Sequence, residues 1–138
     1  MHDPAQALRT WLLERSEVTD LVDDQIAVGR HLFGDTWTTP SSALVLLRSG
    51  GDLDYYTVMR HSRLYAQCFG SSFAVATRIA ATLVDLCKQF TRGDVQQPDG
   101  KVVILQLNQG SEVAQLWEGT LEVPAVGLYL DTFTAEVG

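Results

Sequence analysis

The run RLYAQCFGSSFAVATRIAATLVDLCKQF, from Arg63 to Phe90, carries the two periodicities on which the fold depends. In its first part Leu64, Ala66 and Cys68 alternate with Arg63, Tyr65, Gln67 and Phe69, as a half-buried strand requires. Gly70 ends the alternation, and Ser71 or Ser72 supplies a hydroxyl suited to capping a helix. From there Phe73, Ala76, Ile79, Ala80, Leu83, Leu86, Cys87 and Phe90 recur at helical spacing and form one apolar stripe. Arg78, Asp85, Lys88 and Gln89 fall off the stripe, and Gly93 stands where a C-terminal glycine cap belongs.

Working toward the N-terminus, Tyr55–Met59 is a further strand segment. The short apolar run Ala43–Leu47 reads as a buried central strand, ended by Arg48 and a turn over Ser49–Asp52. Residues Arg30–Ser42, with Phe33 and Trp37 among threonines, serines, Gly34 and Pro40, read as a loop. Gln25–Gly29 is a brief edge strand, and Val18–Asp23 a short turn with Leu21 and Val22 inward. The chain opens on a helix: Asp3 can cap it, Pro4 suits its first position, Gln6 completes a capping-box-like start, and Ala5, Leu8, Trp11 and Leu12 share a face.

Toward the C-terminus, Asp94–Gly100 reads as a polar loop and Val102–Leu107, Ala114–Glu118 and Leu121–Phe133 as strands. A turn over Asn108–Ser111 separates the first two, and Pro124 and Gly127 point to a bulge or edge position in the last. Short turns between strands favour antiparallel pairing. The expected fold is α+β: an antiparallel sheet with two helices on one face, in the order α-β-β-β-α-β-β, forming a single domain over residues 1–138.

Composition narrows the function. Of 138 residues 46% are apolar and 20% charged, the balance of a globular chain. Ten Lys+Arg against seventeen Asp+Glu leave a net charge of −7, which repels phosphate backbones, so specific nucleic-acid binding is not expected. No signal-peptide pattern is expected at the start, and no apolar run reaches the roughly 18–20 residues of a membrane span. Cys68 and Cys87 fall on a strand and a helix and read as buried, reduced thiols. His2, His31 and His61 lack ligand spacing, so no metal is expected. The acidic clusters Asp23-Asp24 and Asp52/Asp54 sit near turns, where carboxylates cap backbone amides. Ser49-Gly50-Gly51 lacks the lysine of a phosphate loop, and no nucleophile elbow occurs. No cofactor is expected, and the chain is read as a non-enzyme. The residues that stand out are suited to protein interfaces: Trp37, Tyr55, Tyr56 and Trp117, with Arg60 and Arg63.

Taken together, the opening helix Ala5–Arg15, the acidic-ended segment Val18–Asp24, the strand Leu44–Leu47 approached through Pro40 and the strand-to-helix unit Arg63–Phe90 form a recognisable succession. It resembles the tail terminator, or tail completion, proteins of long-tailed bacteriophages, a group that includes neck proteins of the same fold. The resemblance spans nearly the whole chain through element order and hydrophobic pattern. It implies a virion protein of the tail or neck, assembled in the host cytoplasm as a ring, commonly a homo-hexamer. That ring caps the tail tube, stops its polymerisation and offers a docking surface to the head connector. It implies no membrane partner and no catalytic residues, and genome DNA would slide through an acidic lumen. Two alternatives remain open: another neck or head-completion adaptor, and a small cellular protein-binding module without enzymatic activity.

Overall fold

The computed structural model describes residues 3–29, 42–53, 59–98, 100–118 and 123–137. Two helices come first, α1 (Pro4–Leu13) and α2 (Ser16–Val22), followed by β1 (Ile26–Val28), β2 (Ala43–Leu53) and β3 (Met59–Phe69). Helix α3 (Phe73–Gln89) precedes β4 (Gly93–Gln97), β5 (Gly100–Gln109), β6 (Ala114–Glu118) and β7 (Val123–Val137).

Both long helices start where local chemistry directs. At α1 the Asp3 carboxylate accepts a hydrogen bond from the Ala5 N–H at 3.0 Å, and Pro4 fills the first helical position. At α3 the Ser72 hydroxyl accepts from the Val75 N–H at 3.3 Å. The apolar stripe of α3 buries Ala76, Ile79, Ala80, Leu83 and Leu86, while Phe73, Cys87 and Phe90 pack half-buried at its margins.

The sheet runs β1-β2-β3-β7-β5-β4, with β6 also paired to β7. Strand β3 lies antiparallel between β2 and β7, placing Leu64 opposite Leu130, Ala66 opposite Leu128 and Cys68 opposite Val126. These side chains form the floor of the main core. Helices α1 and α3 pack over it, and α2, β1, β4 and β5 contribute Val18, Val22, Ile26, Val95, Ile104 and Leu107. A second, smaller cluster of Ala43, Val45, Phe69 and Ala125 belongs to the opposite face of the sheet.

The expected fold class is overturned. Strands make up 49% of a mostly β structure whose curled sheet is mixed, and the described residues include three helices, so the order α-β-β-β-α-β-β does not hold. Each difference has a physical source. Strand β1 pairs with β2 in parallel, because the long connection over residues 29–42 permits a crossover that a tight turn does not. The segment expected as a short turn at Val18–Asp23 is the helix α2, ended at Asp23 by a left-handed backbone with φ of 55°. Gly93 does not cap α3: the helix stops at Gln89 with Phe90 extended, and Gly93 begins β4 within the expected polar loop. The Ser49-Gly50-Gly51 stretch is no turn either. Strand β2 continues through it to Leu53, absorbing one residue as a bulge between Arg48 and Gly50. Finally, β7 is central, flanked by β3 on one side and by β6 and β5 on the other. Pro124 is tolerated there because it sits at the strand's start, one residue before pairing with β3 begins at Ala125.

Candidate functional site

The face of the sheet turned away from the helices carries the side chains that alternate with the core residues along β3 and β7. Register places His61 opposite Phe133, Arg63 opposite Asp131, Tyr65 opposite Tyr129 and Phe69 opposite Ala125. Arg63 organises the middle of this row. Its guanidinium lies 4.8 Å from the centroid of the Tyr129 ring, its Nε 3.4 Å from the Asp131 carboxylate, and it donates to the Gly110 carbonyl at 2.9 Å. The Gly110 N–H in turn donates to the Tyr129 carbonyl at 2.7 Å, and the Ser111 hydroxyl accepts from the Tyr129 N–H at 2.8 Å. One strand, its neighbour and the β5–β6 connection are thus tied at a single point.

A side chain at 110 would displace the Arg63–Asp131 ion pair. A Cβ there would fall 2.7 Å from the Asp131 carboxylate and 3.3 Å from the Arg63 guanidinium. Beside the arginine, Tyr65 and Tyr129 tilt against each other with centroids 4.9 Å apart, and His61 stacks on Phe133 at 6.0 Å. Partial burial, with Tyr129 and the Cys68 thiol nearby, raises the Tyr65 hydroxyl above its ordinary value and keeps it a neutral donor. The Arg63 and Asp131 side chains remain 45% and 31% exposed, so the pair itself adds little stability. What it does is hold an arginine and two tyrosines in fixed orientations at the surface, which lowers the entropy lost when a partner binds them.

The interface residues expected from sequence are distributed unevenly. Trp37, Tyr55 and Tyr56 lie outside the described residues. Trp117 is on β6, where its backbone pairs with Pro124. Arg60 and Arg63 are both on β3, but their odd separation along an unbroken ladder sends them to opposite faces of the sheet. Arg60 pairs with Thr134, whose buried hydroxyl donates to the Arg60 carbonyl at 3.5 Å. Only Arg63 joins the row described above. Its partners Tyr129, Asp131 and Gly110 were missed, since only the register of β7 brings them beside β3; alternation in Leu128-Tyr129-Leu130-Asp131-Thr132-Phe133 was the signal available.

Among the described residues no cluster of His, Cys, Asp or Glu is arranged as metal ligands, and no helix is long and apolar enough to cross a membrane. His61, expected just ahead of a strand, lies within β3 and is exposed. Both cysteines are free thiols. Burial pushes the Cys68 thiol up to about 12 and the half-buried Cys87 thiol to about 11. No protein-family model matches the chain, and no curated protein matches it.

Proposed function

We propose that this chain is a virion structural protein: a ring-forming tail terminator that caps the head-proximal end of a phage tail tube, stops its polymerisation and joins tail to head connector. The observation that carries this reading is the Arg63–Phe90 stretch, the weightiest part of the resemblance to that family, which forms the β3–α3 unit. Two features support it. The row on β3 and β7 offers an exposed, oriented arginine beside two half-buried tyrosines, the side chains that dominate binding energy at protein interfaces. The net charge of −7 suits a ring through which DNA must slide without sticking.

The test mixes purified protein with polymerising tail tube protein from the same genome and measures tube lengths by electron microscopy. Capping gives shorter tubes with a ring at one end. Replacing Tyr65 and Tyr129 together by alanine leaves the chain folded and weakens capping by about 2 kcal/mol or more, the usual cost of an interface aromatic. Tubes of undiminished length, with wild-type protein that neither forms rings nor binds tube ends, would sink the terminator reading.

A further inference from the structure

Four strands, β2, β3, β7 and β5, cross one level of the sheet together. At that level Arg48 and Asp52 of β2 lie opposite Leu64 and His61 of β3. Those lie opposite Leu130 and Phe133 of β7, which in turn lie opposite Gln109 and Gln106 of β5. The outer strands stop short of this level on both sides. Strand β1 pairs with β2 only from Leu44 to Leu46, and β4 pairs with β5 only from Gly100 to Ile104. A bulge between Ile104 and Gln106 falls where the β4 ladder ends, as bulges that terminate pairing do. Among the described residues, then, the sheet is open at the same height along its β2 edge and its β5 edge.

The β5 edge also lacks the usual protection. Natural edge strands carry lysine, proline or other charges that deter a further strand. From Leu105 to Trp117 the single charged residue is Glu112, in a chain that is 20% charged, and neither lysine nor proline occurs. The amides Gln106, Asn108, Gln109 and Gln115 fill much of the stretch. Leu105 and Val113, each 36% exposed, are the large hydrophobic side chains that the described surface leaves out of the core, and both lie here.

We propose that this edge receives β2 of a second copy of the chain, so that the sheet continues from one subunit into the next. Strand directions fit. With each neighbour in the β2-β3-β7-β5 set antiparallel, β2 and β5 run in opposite senses, and a β2 added beside β5 continues the antiparallel alternation. Heights fit as well, since the two open stretches lie level and the incoming copy need not slide along the strands. Charge permits a copy of this chain. Two molecules of net charge −7 repel each other unless the surfaces that touch are uncharged, and the β5 edge nearly is. The incoming edge brings Arg48, whose guanidinium is already paired with Asp3 of its own chain, to the level of Gln109. Because the β2 edge meets the β5 edge, the contact is head-to-tail, and it closes into a ring when its rotation allows. Closure rests on the ring reading above; the pairing itself rests on register and charge.

Two measurements on the full chain test the pairing. In the first, Leu105→Lys with Val113→Lys is compared with wild type by mass photometry over a concentration series. The exposed-helix pair Ala74→Lys with Ala81→Lys serves as a control of equal charge change. The edge pair should raise the concentration needed for self-association by about tenfold or more, and the control should not. In the second, Ser49→Cys chains are mixed with Gln109→Cys chains and treated with a short bismaleimide, both in a Cys87→Ala background. Cross-linked dimers should form in the mixture and not with either variant alone. Rings that survive the edge lysines overturn the pairing and leave the terminator reading intact. Cross-linking of Gln109→Cys chains alone overturns the head-to-tail arrangement. Wild-type protein that stays monomeric at every concentration overturns both.

Discussion

Replacing Gly93 by alanine should destabilise the protein, although glycine-to-alanine changes within strands ordinarily do the reverse. Gly93 opens β4, where it is buried and pairs with Ile104. The Trp11 indole lies directly on it. A Cβ at this position would sit 2.7 Å from Trp11 Cδ1 and 2.8 Å from Nε1. That is about 1 Å inside a comfortable carbon–carbon contact. The indole has little room to retreat: it is 6% exposed, with Phe90 packed edge-on at 5.2 Å and the Arg15 guanidinium 4.8 Å from its centroid. Overpacking of this kind costs about 1–3 kcal/mol. Loss of unfolded-chain freedom offsets about 0.4–1 kcal/mol of it, since Gly93 is not among the glycines with positive φ. The net loss of about 1–2 kcal/mol corresponds to a Tm lowered by roughly 3–8 °C in a chain of this size. Urea melts and calorimetry of Gly93→Ala, Trp11→Leu and the double variant measure the pair as a cycle. Removing the indole should relieve the clash, giving a coupling of about 1 kcal/mol or more. A Gly93→Ala protein that melts with the wild type, or loses as much stability in the Trp11→Leu background, would refute the contact.

Leu83 lies 2% exposed on the α3 stripe, so Leu83→Asp buries an unpaired carboxylate and should cost more than about 3 kcal/mol; an unchanged Tm would mean the helix register is wrong. Both thiols sit above their ordinary value of 9.0 through burial, so a maleimide should label the native protein slowly and the urea-unfolded chain fast; rapid native labelling of both would count against burial. Cys68 also makes stability depend on alkaline pH. Its folded value of about 12 means the native state keeps a proton that the unfolded chain releases near 9.0, so stability is whole below that point and declines as pH rises toward 12. Between about pH 8 and about pH 10 wild type should lose about 1.4 kcal/mol more than Cys68→Ala, and parallel pH profiles would refute the assignment.

What could be read from sequence was what depends on neighbours along the chain. The α3 stripe, its Ser72 cap, the Asp3–Pro4 start of α1 and the alternation in β3 all repeat over a few residues, and each appears in the structure. Gly93 shows where that kind of reading stops. A glycine just past an amphipathic helix fits a cap on local grounds, yet here its missing side chain serves Trp11, far away in sequence. Parallel pairing of β1 was hidden for a similar reason, because a connection over residues 29–42 is compatible with either direction. The candidate surface combines both situations. Arg63 was visible by residue type, and the parity that separates it from Arg60 would have been visible had the strand been extended back to Met59. That Arg63 meets Tyr129 and Asp131 follows only from β7 lying beside β3.

The edge of β5 carries this one step further. Its uncharged, amide-rich stretch stands in the sequence for anyone to count, but a stretch without charges is ordinary inside a sheet and exceptional on its rim. What turns Gln106–Gln109 from the first case into the second is that β4 ends its pairing at Ile104, while Leu53 carries β2 past the reach of β1 on the far side. Two local events, a bulge at Leu105 and a three-residue β1, thereby leave matching openings, among the described residues, on opposite sides of one sheet. Two level, antiparallel-compatible openings suit the partner proposed above, a second copy whose own edge is cut to the same height.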